Sequence, residues 1–358
     1  MDAKWTKNTT DVFVNTSEQS SPAIAVAGLT TAYAVLLLLS LIGNTLVLVI
    51  IYRDRRLRTN VNLFIANMAA SDLLFPTFAI PYRISSILSG GKWIVHGALG
   101  EALCKIVTFT GDISNLVSVL CLVAIAADRF DAIVYPMSSQ LITKKVRSVI
   151  LISTWILSVL FFCPYFYAMK LRSGKNNAME CLFTWGTDAK TTFLSQRKYI
   201  FVNFAFFIAL PFLILLVLYS IIIFSLFRQS STLVLSTKER KQHMNENRRI
   251  ALMSFIVVIV FIVTYAPLNI YFFIIFVNGT DFIFNETFFL VSYFLSLVYP
   301  AANPIIYYIF HEKYRQGFHR IFRFCCKFYN KPRKSSRLKQ LERGLPEHQT
   351  IELMEFLN

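Results

Sequence analysis

Seven long apolar runs, separated by short polar segments, dominate the chain. They fall at about 24–51, 61–88, 102–134, 146–169, 199–227, 250–277 and 282–310. A helix needs about 20 apolar residues to cross the hydrocarbon core of a bilayer, and each run is long enough. Apolar positions within the runs are continuous rather than alternating, which excludes barrel strands and leaves helices. The pattern predicts an all-α membrane protein, with a seven-transmembrane helix bundle over 23–310. Past the last run, Phe310, Tyr314, Phe318, Ile321 and Phe322 recur every three or four residues among Lys313, Arg315, Arg320 and Arg323. That spacing predicts an amphipathic cytoplasmic helix over 311–326, lying on the membrane surface. Residues 1–22 read as a polar tail, and 327–358 as a charged, disordered one.

Composition supports the same picture. With 55% hydrophobic and 16% charged residues, a 358-residue chain has too few charges to coat a soluble domain. The net charge of +16 would by itself suggest nucleic acid, but its distribution argues against that partner. If the spans alternate, two thirds of the 36 basic residues fall on one side, at 53–58, 144–147, 228–249 and 313–343. Basic loops stay cytoplasmic, so the N-terminus is expected outside and the C-terminus inside. Glycosylation sequons at Asn8, Asn15, Asn278 and Asn285 all fall on the outer side of that arrangement. Residues 1–22 are too polar for a removable signal peptide, so the first span is expected to act as the targeting signal.

The cysteines divide by compartment. Cys104, at the outer end of span three, and Cys181, in the second outer loop, face oxidising conditions and are expected to form a disulfide. The alternative is two unpaired thiols. Cys121 and Cys163 lie inside spans and read as small packing residues. Cys325 and Cys326 follow the amphipathic stretch on the reducing side, where S-acylation with palmitate is the expectation. In the second outer loop, about 170–198, a Ser-Gly-Lys-Asn-Asn turn at 173–177 lies between 169–172 and 178–183 and predicts a hairpin. The third inner loop is read as 228–247.

Strongly polar residues within a membrane are costly, so each is a functional candidate. Span one carries Asn44 after Gly43, and span two carries Asn67 and Asp72. Span three carries Asp112, Asn115, Ser118 and, at its inner end, Asp128-Arg129. Span seven carries Asn303-Pro304 and Tyr307. Prolines at 76, 81, 164, 211, 267, 300 and 304 each remove an intrahelical hydrogen bond and invite a kink. Kinks in at least five of seven helices suggest a bundle that bends in use.

Taken in order, these residues resemble the rhodopsin-type (class A) G-protein-coupled receptors across every span and the terminal helix. The likeness rests on Gly43-Asn44, Asn67, Asp72, Trp93, Cys104, Asp128-Arg129-Phe130, Pro136, Trp155, Cys181, Pro211, Tyr219, Phe261, Pro267, Asn303-Pro304 and Tyr307. It implies a switch rather than a catalyst, coupling an extracellular ligand to a heterotrimeric G protein by outward movement of the sixth helix. Arg129 would be the cytoplasmic latch, pairing with Asp128 and later meeting the G protein. Tyr219 and Tyr307 would turn inward to hold the open form. Phe261, Pro211 and Val119 resemble the cluster that repacks between states, and Met137 is placed to enter an apolar pocket of the partner. Asn44, Asp72, Ser118 and Asn303 would line a polar core that either holds an allosteric sodium ion or only packs the helices. Arrestin, receptor kinases and membrane lipid are further expected partners, and the plasma membrane is the expected location. In the tail, Ser335 and Ser336 sit among basic residues where phosphorylation would weaken attraction to anionic lipid.

Departures bear on the ligand. Tyr265 replaces the family's usual tryptophan beneath the ligand, Thr264 its usual cysteine, and Tyr299-Pro300 put the details of a sodium site in doubt. Asn247 stands where the family often has the acidic partner of Arg129, with Glu246 beside it. Span seven holds no lysine for a retinal Schiff base, which excludes a light-driven pigment or pump. The position of an aminergic aspartate is Gly111, with Asp112 about 100° further round the helix. Pro81, the hairpin and Trp185 resemble peptide (neuropeptide-type) receptors, and a peptide is the favoured ligand, with lipid, amine or other small molecules as alternatives. Candidate pocket residues are Arg83, Gly111, Asp112, Asn115 and Trp185, with Asn203, Tyr265, Asn269, Phe272 and Tyr293 from the later spans. The outer rim mixes charges of both signs and does not fix the sign of the ligand.

Other classes fit less well. Duplicated halves, common in transporters, are absent, and the polar groups form no continuous path for a channel. The five histidines are scattered over loops and tail without metal spacing or a nucleophile–base pairing, so no enzyme, metal centre or cofactor is expected.

Overall fold

A computed structural model describes residues 23–135, 141–173, 179–186, 188–230, 238–278 and 286–329. Seven long helices run through it: α1 (Ala23–Arg53), α2 (Asn60–Leu88), α3 (Gly97–Val134), α4 (Lys144–Ala168), α5 in three consecutive pieces, α6 (Lys238–Asn278) and α7 (Glu286–Phe310). The pieces of α5 are Ala189–Asn203, a wide π turn Phe204–Ala209, and Leu210–Ser230. A last helix, α8, covers Glu312–Tyr329. Between α4 and α5 lies an antiparallel hairpin, β1 (Met169–Ser173) on β2 (Met179–Phe183), with Leu171 opposite Cys181.

The bundle is apolar on the outside and partly polar within. On α1 the large side chains Leu38 and Ile42 are each 57% exposed, while Ser40 and Asn44 are fully buried. On α4, Val149, Ile152, Ile156 and Leu160 are exposed, while Thr154 and Ser158 are buried. Such continuous apolar exposure belongs against lipid rather than water. Six helices among the described residues are long and apolar enough to cross a membrane. The remaining long helix, α3, packs against α2, α4, α5 and α6, and much of its length is buried among them.

Glycine and proline set how closely the helices approach. A Cβ at Gly43 would lie 2.8 Å from Pro304 Cγ, so only glycine lets α1 close on α7 there. Pro211 follows the π turn, where a regular helix would drive its ring into the carbonyl four residues back. Pro164 falls where Lys144–Phe162 ends and a single turn, Tyr165–Ala168, resumes.

Helix ends differ from the hydropathy reading. Residues 189–198 are helical rather than loop, 238–247 begin α6, and α3 starts at Gly97. Apolar runs report the thickness of the hydrocarbon, whereas helices continue past it wherever caps and propensity allow. Thr59, Thr143 and Asp188 are such caps, accepting from the backbone N–H of Asn62, Val146 and Thr191. Those from Thr191 N–H and hydroxyl hold the Asp188 carboxyl below its ordinary value. The hairpin falls where the turn signal placed it. Cys163 corrects an expectation: it caps Lys144–Phe162 with its side chain exposed, and is not a packing residue.

From Gln316 onward, the rest of α8 belongs to a second unit. Along it Arg320 and Arg323 are exposed, Phe318 is buried and Phe322 is exposed.

Candidate functional site

Three groups of polar residues lie along the axis of the bundle. The middle one is a buried knot joining α1, α2, α3 and α7. Asp72 accepts from Ser118 Oγ at 3.1 Å on one oxygen and from Asn303 Nδ2 at 2.7 Å on the other. Asn44 Nδ2 donates to the carbonyl of Pro300 at 2.9 Å and to that of Ser40 at 3.0 Å. Pro304 cannot donate to the carbonyl of Pro300 four residues earlier, so Asn44 fills the vacancy that the proline creates. The contact needs α1 close to α7, which Gly43 permits. Ser71 and Ser118 share a hydrogen bond at 3.3 Å, and Ser114 reaches the carbonyl of Ser71 at 2.8 Å. The Oδ1 atoms of Asn44 and Asn303 are buried with no partner among the described residues.

The second group lies at the end nearest α8. Arg129 donates to Asp128 at 2.5 Å and, from its other terminal nitrogen, to Asn247 Oδ1 at 3.1 Å. Arg129 and Asp128 are each 11% exposed at the side chain, so the pair is shielded. Asn247 belongs to α6, so one guanidinium ties α3 to α6. Asp128 also accepts from Asn60 Nδ2 at 3.0 Å, and Asn60 accepts from Arg147 at 3.1 Å, extending the network to α2 and α4. Glu246 turns instead to Lys313, at 2.7 Å. The latch partner on α6 is therefore the neutral Asn247. Asn60 and Arg147 were missed in the sequence because a polar residue at a helix start looks like an ordinary cap.

Tyr219 and Tyr307 each pack on a different neighbour. Tyr219 lies against Phe255 with ring centroids 5.2 Å apart, and Tyr307 against Tyr314 at 5.7 Å. Tyr314 donates its hydroxyl to Asn62 at 3.1 Å and meets His311 edge-on at 5.0 Å. Burial and nearby Lys313 push His311 down to about 4, so it sits there neutral. Phe130 packs edge-to-face on Tyr135 at 5.8 Å.

The third group lines the end that carries the hairpin. Cys104 and Cys181 are disulfide-bonded with Cα atoms 5.6 Å apart, tying β2 to α3. Trp93 donates its backbone N–H to the carbonyl of Met179 at 3.1 Å, fixing the α2–α3 connection to the same hairpin. Asp112 accepts from the Tyr165 hydroxyl at 2.6 Å. Around them pack Phe183, 5.1 Å from Tyr165, and Tyr199, 5.2 Å from Trp185. Across the bundle, the Arg83 guanidinium lies 4.7 Å above the ring of Tyr293. A Cβ on Gly111 would meet the Phe75 ring at 3.0 Å, so Phe75 closes the place of an aminergic aspartate. Beneath, Phe261, Tyr265 and Tyr299 form one aromatic cluster, with Phe261 4.8 Å from Tyr265 and 5.1 Å from Tyr299. Asn269 donates to the carbonyl of Tyr265 at 2.9 Å, one turn before it and spanning Pro267. Phe272 packs on Tyr271 and Phe289, and Asn203 ends the first piece of α5.

Met137, Asn8, Asn15, Asn285, Ser335 and Ser336 lie outside the described residues. Asn278 is the last residue of α6, and Cys325 and Cys326 lie on α8; their side chains are not described.

Comparison with known proteins places this arrangement. Residues 43–307 match the family model "7 transmembrane receptor (rhodopsin family)". The mouse (Mus musculus) neuropeptide FF receptor 2 is 29% identical over 315 residues, covering 83% of this chain and 73% of that protein. The dog (Canis lupus familiaris) substance-K receptor is 29% identical over 310 residues, covering 86% and 78%. The pig (Sus scrofa) somatostatin receptor type 2 is 27% identical over 318 residues, covering 86% and 81%.

Proposed function

The chain belongs to the rhodopsin family of seven-transmembrane receptors, not to an enzyme family, and from that premise we propose that its ligand is an extracellular peptide. The names of its relatives, a neuropeptide FF receptor, a substance-K receptor and a somatostatin receptor, support a peptide. The hairpin end faces outward in the plasma membrane and the α8 end faces the cytoplasm, a reading that the basic loops and the sequons support. Peptide in the cup between Arg83 and Asp112 biases the aromatic cluster around Tyr265. The Asp72 knot passes that bias to Tyr307, and α6 swings away from α3.

One observation carries the reading: Arg129 holds α3 to α6 through Asn247. That contact must break if α6 moves outward, and the freed guanidinium then offers five donors to a G protein's carbonyl-rich terminus. Arrestin and receptor kinases use the same cytoplasmic face. Cys325 and Cys326 carry lipid that anchors α8, and the sequons carry glycans.

Asp72, Ser118 and Asn303 also fit an allosteric sodium ion. Their oxygens suit a hard cation, and the unpartnered Oδ1 of Asn303 supplies a further acceptor beside the carboxylate. The ion would neutralise Asp72 and favour the closed knot.

The test is a peptide-library screen on cells co-expressing a promiscuous G protein. Peptide-driven activation is expected in the unmodified chain, and Arg129→Ala should reduce it to background at unchanged surface density. Ion flux without G-protein activation, or full signalling by Arg129→Ala, would overturn the reading.

A further inference from the structure

Several charges of the outer rim have partners close by. Glu101 and Lys105 pair with each other at 2.8 Å along one face of α3. Lys170 lies over the Tyr167 ring at 5.2 Å, and Arg197 over the Phe201 ring at 5.4 Å, each on its own segment. Asp112, reached from the α3, α4 and α5 side, already receives the Tyr165 hydroxyl. Arg83, on the α2 and α7 side, is different. No carboxylate among the described residues lies within ion-pair reach of it, and its Nε is buried without a partner. Its guanidinium carbon lies 4.7 Å from the centroid of the Tyr293 ring.

We infer that the ligand carries a carboxylate and that Arg83 is its seat. This rests on the cup being the ligand site. A cation on an aromatic face is held only weakly, which positions the guanidinium without saturating its five donors. A carboxylate presented from the cup takes two parallel N–H donors, the geometry for which a planar guanidinium is suited and an ammonium is not. Asp112 on the other side repels the same group, so the carboxylate is confined to the α2 and α7 side and the ligand enters in one direction. A C-terminal carboxylate and an Asp or Glu side chain offer identical chemistry.

Three synthetic peptide pools separate these sources on the full chain with a promiscuous G-protein readout. One pool has free C-termini and no acidic side chains, the second is amidated with Asp and Glu present, and the third is amidated and acid-free. Activity is expected only from the first or second pool, whichever contains the natural source. For the active peptide, Arg83→Gln should raise the half-maximal concentration about tenfold or more, with Arg83→Lys in between and surface staining unchanged. Amidating that carboxylate should cost the unmodified receptor a similar factor and cost Arg83→Gln nothing further. The ligand change needs no variant, so misfolding cannot mimic it. Activation by the acid-free pool, an unchanged response in Arg83→Gln, or additive losses would each overturn the assignment. If every peptide pool is silent but fatty acids or dicarboxylates activate through Arg83, the peptide reading falls and the carboxylate seat stands. Silence of all carboxylate-bearing probes on surface-verified protein overturns the seat itself.

Discussion

At the α8 end the carboxylates have named donors: Asp128 takes Arg129 and Asn60, Asp131 takes the backbone N–H of Leu141, and Glu246 takes Lys313. At the hairpin end the cup keeps Arg83 Nε, Asn115 Oδ1 and Trp185 Nε1 buried and without partners among the described residues. The α8 end has unpartnered atoms too, the Tyr219 hydroxyl and the Nε of Arg129 and Arg147, but both guanidinium groups are bonded through their other nitrogens. A buried polar atom without a partner costs about 1–3 kcal/mol. Leaving several in the cup makes sense if a ligand completes them. Pairing the charged groups at the α8 end makes sense if that end must hold shut until something pulls it open.

The connection between the ends is where the comparison breaks most severely. Asp72→Asn removes the charged acceptor of Asn303 and Ser118, each bond being worth about 1.5–3 kcal/mol. Peptide affinity should then stay within about threefold while peptide-driven G-protein activation falls about tenfold or more. Radioligand binding and nucleotide exchange on the same membranes measure the two separately. If both fall together, Asp72 is a fold residue and not a link.

The latch itself comes next. Asn247→Ala removes the neutral acceptor of Arg129, and basal signalling without ligand should rise about fivefold. Asn247→Asp places a carboxylate 3.1 Å away in a shielded setting and should lower basal signalling below that of the unmodified chain. Equal basal activity in all three would show that the α3–α6 contact does not restrain α6.

Much of this was legible beforehand, for physical reasons. The crossings follow from apolar length, and Asp72, Asn303 and Arg129 from the cost of polarity in lipid. The hairpin followed from its turn residues. What the sequence hid depends on neighbours far away in the chain. Gly43 and Asn44 gain meaning only against Pro304 and Pro300, 256 residues from Asn44 in the second case. Asn60 and Arg147 sit at helix starts, where polar residues are ordinary, and their place in the latch is purely tertiary. The rim charges looked ambiguous as a list, and the partners of Glu101, Arg197 and Asp112 appear only in three dimensions.

His311 gives the α8 end a dependence on pH. The unfolded side chain titrates near its ordinary 6.5 and the folded one near 4, so between those values the unfolded state holds the extra proton. Stability is full above that window and falls as pH drops through it, by about 1 kcal/mol at about pH 5.5. Thermal melts of purified receptor at about pH 7.5 and 5.5 should show the loss, and His311→Gln should reduce it.

The smallest effect is expected at the exposed ion pair. Lys313 and Glu246 are 47% and 49% exposed, and such pairs contribute at most about 1 kcal/mol, less in salt. Glu246→Gln should therefore change basal signalling by less than about twofold, against about fivefold for its neighbour Asn247→Ala. The contrast matters because charge alone would rank the two the other way. If Glu246→Gln proves the stronger, the restraint on α6 lies in its link to the start of α8, and the shielded hydrogen bond to Arg129 is secondary. A double variant sharpens the point: independent contacts give additive basal increases, whereas a shared restraint makes the second substitution silent.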